Sequence, residues 1–210
     1  MERLPRGRHG LPREFVERNQ RERLIAALAE ALYEQGYDRT TVSSIGKRAG
    51  VSKSDFYKQF EGKDACFLAA YDDAFARVRE RVVAACEGGD EWAVRVRDAL
   101  AVLLRYLASE PAQARLALVE GLRAGRGIYD RYQEAVQSFV PLLREGAPAL
   151  AEGAPPAATD EAVVGGIASL LSRRVLAGET ERLEDFLPEV AEFALTPYLG
   201  AAEARRIISS

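Results

Sequence analysis

The side chains that most often carry chemistry are scarce in this chain. His9 is the only histidine, placed between Arg8 and Gly10 in a Pro/Gly/Arg segment that reads as flexible. A Ser-His-Asp or Cys-His triad, or a histidine-ligated zinc, would depend on that one residue. Cys66 and Cys86 stand twenty positions apart, which matches no metal spacing. No GxGxxG follows a strand pattern, and no P-loop occurs. An enzyme is therefore the weakest functional class, and no cofactor or metal is expected. What is concentrated instead is a run of hydrogen-bond donors, Lys53, Ser54, Tyr57, Lys58 and Gln59, with Lys63 close behind.

The elements that must position these donors read as helices throughout. Residues 13–35 carry Phe15, Leu24, Ile25, Leu28, Ala31 and Leu32 as a helical stripe, with Gly36 where a helix ends. Residues 41–49 and 52–60 are short apolar-periodic segments. A longer helix runs from 63 to about Cys86, stopped by Gly88 and Gly89, and another spans Trp92 to Ala108. Further helices are predicted over 113–123, 127–145, 160–177 and 183–199, with Pro111 opening one and a loop over 146–159. The fold class is all-α.

Composition narrows the setting. With 210 residues, the chain can bury roughly 70% of its unfolded surface and needs no staples. Hydrophobic residues at 48% and charged residues at 29% argue against wholesale disorder. Apolar runs are short and broken by charge, so no membrane span is predicted. The opening residues MERLPRGRHG are basic but lack the apolar core of a signal peptide, and a cytoplasmic location is expected. Residues 1–65 hold 13 Lys and Arg against 10 Asp and Glu, whereas residues 66–210 hold 16 against 22. A basic first third joined to an acidic remainder suggests a nucleic-acid module attached to a different kind of domain.

Within TTVSSIGKRAGVSKSDFYKQF, residues 40–60, Thr41 is placed to cap a helix whose Val42, Ile45 and Ala49 face inward. Gly50, Val51 and Ser52 form a tight turn. Ser52 caps the next helix, and Asp55 three residues on completes a capping-box pattern. Val51, Phe56 and Phe60 take the buried side, leaving Lys53, Ser54, Tyr57, Lys58 and Gln59 outward or at the helix start. Two readings fit: a DNA-binding helix-turn-helix, or a plain helical hairpin with a solvated polar face.

The same run resembles the DNA-binding region of the TetR/AcrR family of bacterial transcriptional regulators. The residues that carry the likeness are Thr40-Thr41-Val42, Ile45-Gly46, Ala49-Gly50-Val51-Ser52, Phe56-Tyr57, Phe60 and Lys63-Asp64. The resemblance implies three segments: a basic arm over 1–12, a helix-turn-helix domain over 13–62, and an effector-binding and dimerisation domain over 63–210. It further implies that Thr41 and Ser43 meet phosphate through hydroxyls and helix-terminal amides, with Ser52 at the start of the recognition helix. Tyr57 and Lys63 would hold the DNA backbone, while Lys53, Ser54 and Gln59 reach toward base edges beside Lys58. Gln59 replaces a histidine common in the family, and Asp55 stands where threonine is frequent. Asp55 either caps the helix or accepts from a cytosine amine. The N-terminal arm, with Arg3, Arg6, Arg8 and Arg13 against Glu2, either follows DNA or is a solvated extension.

For the remainder the resemblance implies a small-molecule effector and a homodimer. Trp92, Leu100, Leu104, Leu118, Leu122, Tyr129, Tyr132 and Phe139 are the candidates to line a pocket, although each also fits a simple core. Their apolar character predicts a largely hydrophobic effector. Val163, Ile167, Leu170, Leu171, Phe186, Val190 and Phe193 are the candidate dimer residues, unless helices 160–177 and 183–199 merely close the protomer core. Gly165 and Gly166 in succession suggest that another backbone approaches there. Cys66 and Cys86 are either a thiol switch or small buried apolar residues. The implied function is a ligand-released repressor acting on a near-palindromic operator; the alternative is a helical scaffold of the same fold that does not bind DNA.

Overall fold

The computed structural model describes residues 12–87, 91–122, 126–148 and 158–209. Residues 1–11 of the expected arm, His9 among them, lie outside the described residues, as do Gly88, Gly89 and much of the expected 146–159 loop. Every regular element among the described residues is helical, as expected. In chain order these are α1 (Arg13–Gln35), α2 (Val42–Ala49), α3 (Lys53–Gln59), α4 (Lys63–Cys86), α5 (Trp92–Ser109), α6 (Pro111–Leu118), α7 (Arg126–Gln137), α8 (Val140–Arg144), α9 (Ala158–Leu176), α10 (Leu187–Leu199) and α11 (Ala201–Ser209). Two 3-10 segments, Glu120–Leu122 and Thr180–Phe186, precede α7 and α10.

The chain divides into two compact units, Met1–Asp73 and Ala74–Ser210. In the first, Leu24, Leu28 and Leu32 of α1 meet Ile45 of α2, Phe56 of α3 and Phe67 and Tyr71 of α4 as fully buried side chains. Burying each such residue is worth about 1.5–3 kcal/mol, so the opening turns of α4 are part of this core. Phe15 departs from its expected place on the inward stripe: it is exposed, with the Arg18 guanidinium 6.0 Å from its ring centre.

In the second unit α5 packs against the Thr180–Phe186 segment and α10, while α6, α7 and α8 pack against α9. Trp92 donates its indole N–H to the Leu143 carbonyl at 2.8 Å and meets Tyr198 edge-on at 4.9 Å. The buried Asp160 carboxylate accepts from the Tyr198 hydroxyl and from Arg144 at 2.6 Å, tying α8, α9 and α10 together.

Prolines account for two differences from the sequence reading. The helix expected over 127–145 is two helices, because Pro141 has no N–H and its ring would strike the Gln137 carbonyl. The helix expected over 183–199 is a 3-10 segment followed by α10, which opens with Pro188 in its first turn. The helix expected over 113–123 gives way after Leu118 to a 3-10 turn, and α11 follows Gly200, whose φ of 76° reverses the chain.

Candidate functional site

The first site is built around the α2–α3 turn. Thr41 caps α2: its hydroxyl accepts from the Ser44 N–H at 3.1 Å, and Ser44 Oγ accepts from the Thr41 N–H at 3.0 Å. This reciprocal box satisfies two donors that a helix start leaves open. Gly50 ends α2 in the left-handed region at φ 64°, where a side chain is strained. The Val51 N–H then reaches the Gly46 carbonyl at 2.9 Å, and a Cβ on Gly46 would lie 2.9 Å from the Val51 carbonyl oxygen. The turn is thus closed over a residue with no side chain.

Ser52 caps α3, accepting from the Asp55 N–H at 3.0 Å. The Asp55 carboxylate does not complete a capping box, because it accepts from the Ser52 hydroxyl at 2.7 Å rather than from a backbone N–H. It also accepts from the Lys58 ammonium at 2.6 Å. Lys58, and then the Ser52 hydroxyl, hold the Asp55 carboxyl below its ordinary range. On the outer side of α3 stand Lys53, Ser54, Tyr57 and Lys58, all exposed, with Gln59 half-buried. The Tyr57 ring rests edge-on against Phe56, with ring centres 5.6 Å apart. Among the described residues Lys53 has no ion-pair partner, so it is the uncompensated cation of this helix, while Lys58 is neutralised. Thr41 and Ser43 are exposed at the start of α2.

Lys63, at the start of α4, is already engaged. Its ammonium donates to the Tyr37 carbonyl at 3.0 Å and sits 3.8 Å over the Tyr37 ring. The Tyr37 hydroxyl donates to Asp64, and burial followed by that bond raises its pKa.

Three arginines that sequence reasoning passed over hold the turn in place. Arg23 of α1 donates to the Ala49 carbonyl and, at 3.1 Å, to the Gly50 carbonyl. Arg21 donates to the Gln59 carbonyl at 3.3 Å and covers the Phe60 ring at 4.4 Å. Arg48 of α2 forks onto Glu30 and Glu34 of α1. Helix C-termini leave carbonyls without partners, and α1 supplies a cation to the ends of both α2 and α3.

The second site is an apolar cavity of about 120 Å³ within the second unit. Phe75, Val78, Val82 and Cys86 of α4 form one wall, with Leu100, Leu103 and Leu107 of α5, Phe139, Leu142 and Leu143 of the α7–α8 region, and Val164, Ile167 and Leu171 of α9 forming others. Of the pocket candidates, Leu100, Leu118 and Phe139 line this space. Trp92, Leu104 and Tyr132 are buried elsewhere, and Tyr129 is exposed, stacked on Tyr132 at 6.4 Å. The side chain of Leu122 lies outside the described residues.

The candidate dimer residues separate by burial. Val163, Leu171, Phe186 and Val190 are packed inside the protomer's own core, and Ile167 faces the cavity. Leu170 is half-buried, and Phe193 is 41% exposed. What approaches Gly166 within the protomer is a side chain, not a backbone: a Cβ there would meet the Phe193 ring at 2.6 Å, whereas Gly165 has nothing within 4 Å.

Both cysteines are free. Burial pushes the Cys66 thiol up to about 12, and burial likewise raises Cys86. Among the described residues no cluster of His, Cys, Asp or Glu could hold a metal ion, and no helix is long and apolar enough to cross a membrane.

Residues 24–70 match the family model described as bacterial regulatory proteins, tetR family. No curated protein matches the chain. Among solved structures, the fatty acid degradation regulator FadR from Bacillus halodurans shares 16% identity at a TM-score of 0.75, covering 84% of this chain and 94% of that one. FadR from Bacillus subtilis, in complex with stearoyl-CoA, shares 17% at 0.70, covering 85% and 98%. SmeT, the repressor of the Stenotrophomonas maltophilia multidrug efflux pump SmeDEF, shares 18% at 0.65, covering 86% and 92%. At these identities the likeness is one of fold.

Proposed function

We propose that this chain, whose residues 24–70 match the family model described as bacterial regulatory proteins, tetR family, is a ligand-released repressor that binds a near-palindromic operator as a homodimer. The observation that carries the reading is the outer side of α3. It presents Lys53, Ser54 and Tyr57 together on a short helix whose ends are fixed by Ser52 and Arg21. A lysine on the exposed side of a capped helix can donate to guanine O6 or N7, and a tyrosine hydroxyl can meet phosphate.

The homodimer would form on the outer sides of α9 and α10. Leu176 and Phe193 are exposed there, Leu170 is half-buried, and Gly165 has open space over its Cα. A two-fold pairing across this surface would carry two copies of α3 to successive major grooves. The cavity would hold the effector. Its walls favour a hydrophobic molecule, in keeping with the stearoyl-CoA bound by the Bacillus subtilis protein of the same fold. Release from DNA follows if the effector binds one arrangement of the dimer more tightly than the other.

Sequencing the genomic DNA retained by the purified protein tests the function directly. An enriched near-palindrome with half-sites about one helical turn apart is expected, and no enrichment over input DNA would refute it. Light scattering should give about twice the 23.0 kDa chain mass. Phe193→Glu should halve it without unfolding the protomer, because that side chain is already 41% exposed. A wild-type monomer at micromolar concentration would remove the two-headed arrangement.

A further inference from the structure

The apolar cavity does not end in apolar surface. Through Cys86 and Leu142, which belong to both, it adjoins a polar recess lined by Glu87, Arg95 and Glu145. The cavity walls offer no hydrogen-bonding side chain except the Cys86 thiol, so a polar group drawn inside would lose its water without replacement. Among the described residues, the charged side chains that share a boundary with the cavity are those of the recess. There Arg95, half-buried as a residue, donates from its guanidinium to the Glu145 carbonyl at 3.2 Å in an exposed bond, while the Glu87 and Glu145 carboxylates belong to exposed residues at the rim. Gly146 makes room for it, since a Cβ at that residue would lie 2.6 Å from the guanidinium nitrogen.

From this juxtaposition we propose that the cavity takes a single-headed amphiphile, its hydrocarbon part among the α4, α5 and α9 side chains and a single carboxylate at Arg95. The inference deepens the reading of this cavity as the effector site. A guanidinium matches a planar carboxylate with two parallel hydrogen bonds. The two rim carboxylates repel any anion in proportion to its charge, so they oppose a monoanion less than a phosphate-bearing head of higher charge. The charges felt at the junction agree: burial raises the Cys86 thiol, and of the two charges acting on it, Arg95 lowers it more than Glu145 raises it.

Isothermal titration of the full chain, without DNA, with decanoate, decan-1-ol and decylamine varies the end group alone. Decanoate should bind one per chain and about 10- to 100-fold more tightly than the other two, the range of a charge-assisted pair. Arg95→Met should bring decanoate down to the level of the alcohol and leave the alcohol unchanged. Arg95→Lys, which keeps the charge and loses the fork, should fall between them and guards against a misfolded Met variant. Ala168→Leu, which fills the cavity, should weaken all three. Equal binding of decanoate and decanol, a preference for decylamine, or decanoate affinity indifferent to both Arg95 variants would overturn the proposal, as would no binding of any probe. Retention of genomic DNA is measured separately. A chain that binds decanoate through Arg95 but enriches no DNA refutes the repressor and leaves this ligand class standing.

Discussion

Replacing Arg23 by methionine keeps the length of the side chain and removes the cation that α1 sends to the end of α2. Two carbonyls lose a charged donor: Ala49, in the part-buried bond, and Gly50, in an exposed bond of 3.1 Å. A hydrogen bond to a charged group contributes about 1.5–3 kcal/mol, and an exposed one contributes little because water replaces it. Counting the Ala49 bond alone gives a loss of about 2 kcal/mol. With a urea m-value of about 2 kcal/mol/M, the unfolding midpoint should drop by about 1 M with an unchanged slope. The same contact holds the turn before α3, so fluorescence anisotropy should show about tenfold weaker operator binding. Because Arg23 acts by positioning, the dependence of affinity on salt should stay as in the wild type, whereas loss of a phosphate contact would lower that slope by about 0.9 per copy. Arg23→Lys should recover part of both losses. A midpoint within experimental error of the wild type would refute the reasoning. So would a reduced salt slope, which would make Arg23 a DNA contact.

Three further outcomes follow from the same geometry. Lys53→Ala should cost about 1–3 kcal/mol on the operator and relax preference at one base pair per half-site, while Tyr57→Phe weakens all sequences alike and leaves the salt slope unchanged; isotherms on single-base operator variants separate the two. The Asp55 carboxyl is held below its ordinary range by Lys58 and Ser52, so its contribution to α3 is complete above about pH 4 and is lost as pH falls through the lowered value; an Asp55→Asn variant should lack that part of the acid dependence in a denaturation series. In native protein at pH 8, Cys66 should resist alkylation, its thiol lying near 12, while the half-buried Cys86 reacts faster; mass spectrometry of labelled peptides reports each site, and rapid labelling of Cys66 would contradict its burial.

The helix-turn-helix was legible because local chemistry specifies it. Thr41 and Ser52 announce caps, Gly50 marks the left-handed stop, and the apolar residues between them have one buried side. The supports of that motif were not legible. Arg21 and Arg23 lie on the polar face of α1, where charged side chains usually meet only water, and nothing in sequence shows that two later helices end against them. The breaks at Pro141 and Pro188 were written in the residues but masked by apolar periodicity that continues across both. Ile167 and Leu171 show a different limit. An apolar stripe on α9 reads the same whether it faces a second chain, a packed core or an empty space, and a cavity is an absence that no residue encodes.

The chain contains a single tryptophan, Trp92. Its indole is buried, donates to the Leu143 carbonyl and meets the Tyr198 ring at 4.9 Å. Leu143 turns its own side chain to the cavity. Emission excited at the red edge of the spectrum therefore comes from one dry, hydrogen-bonded chromophore, one residue removed from the cavity wall. A guest that displaces α8 would alter that hydrogen bond and shift the emission with no label attached. The protein in this sense carries its own optical gauge of the cavity.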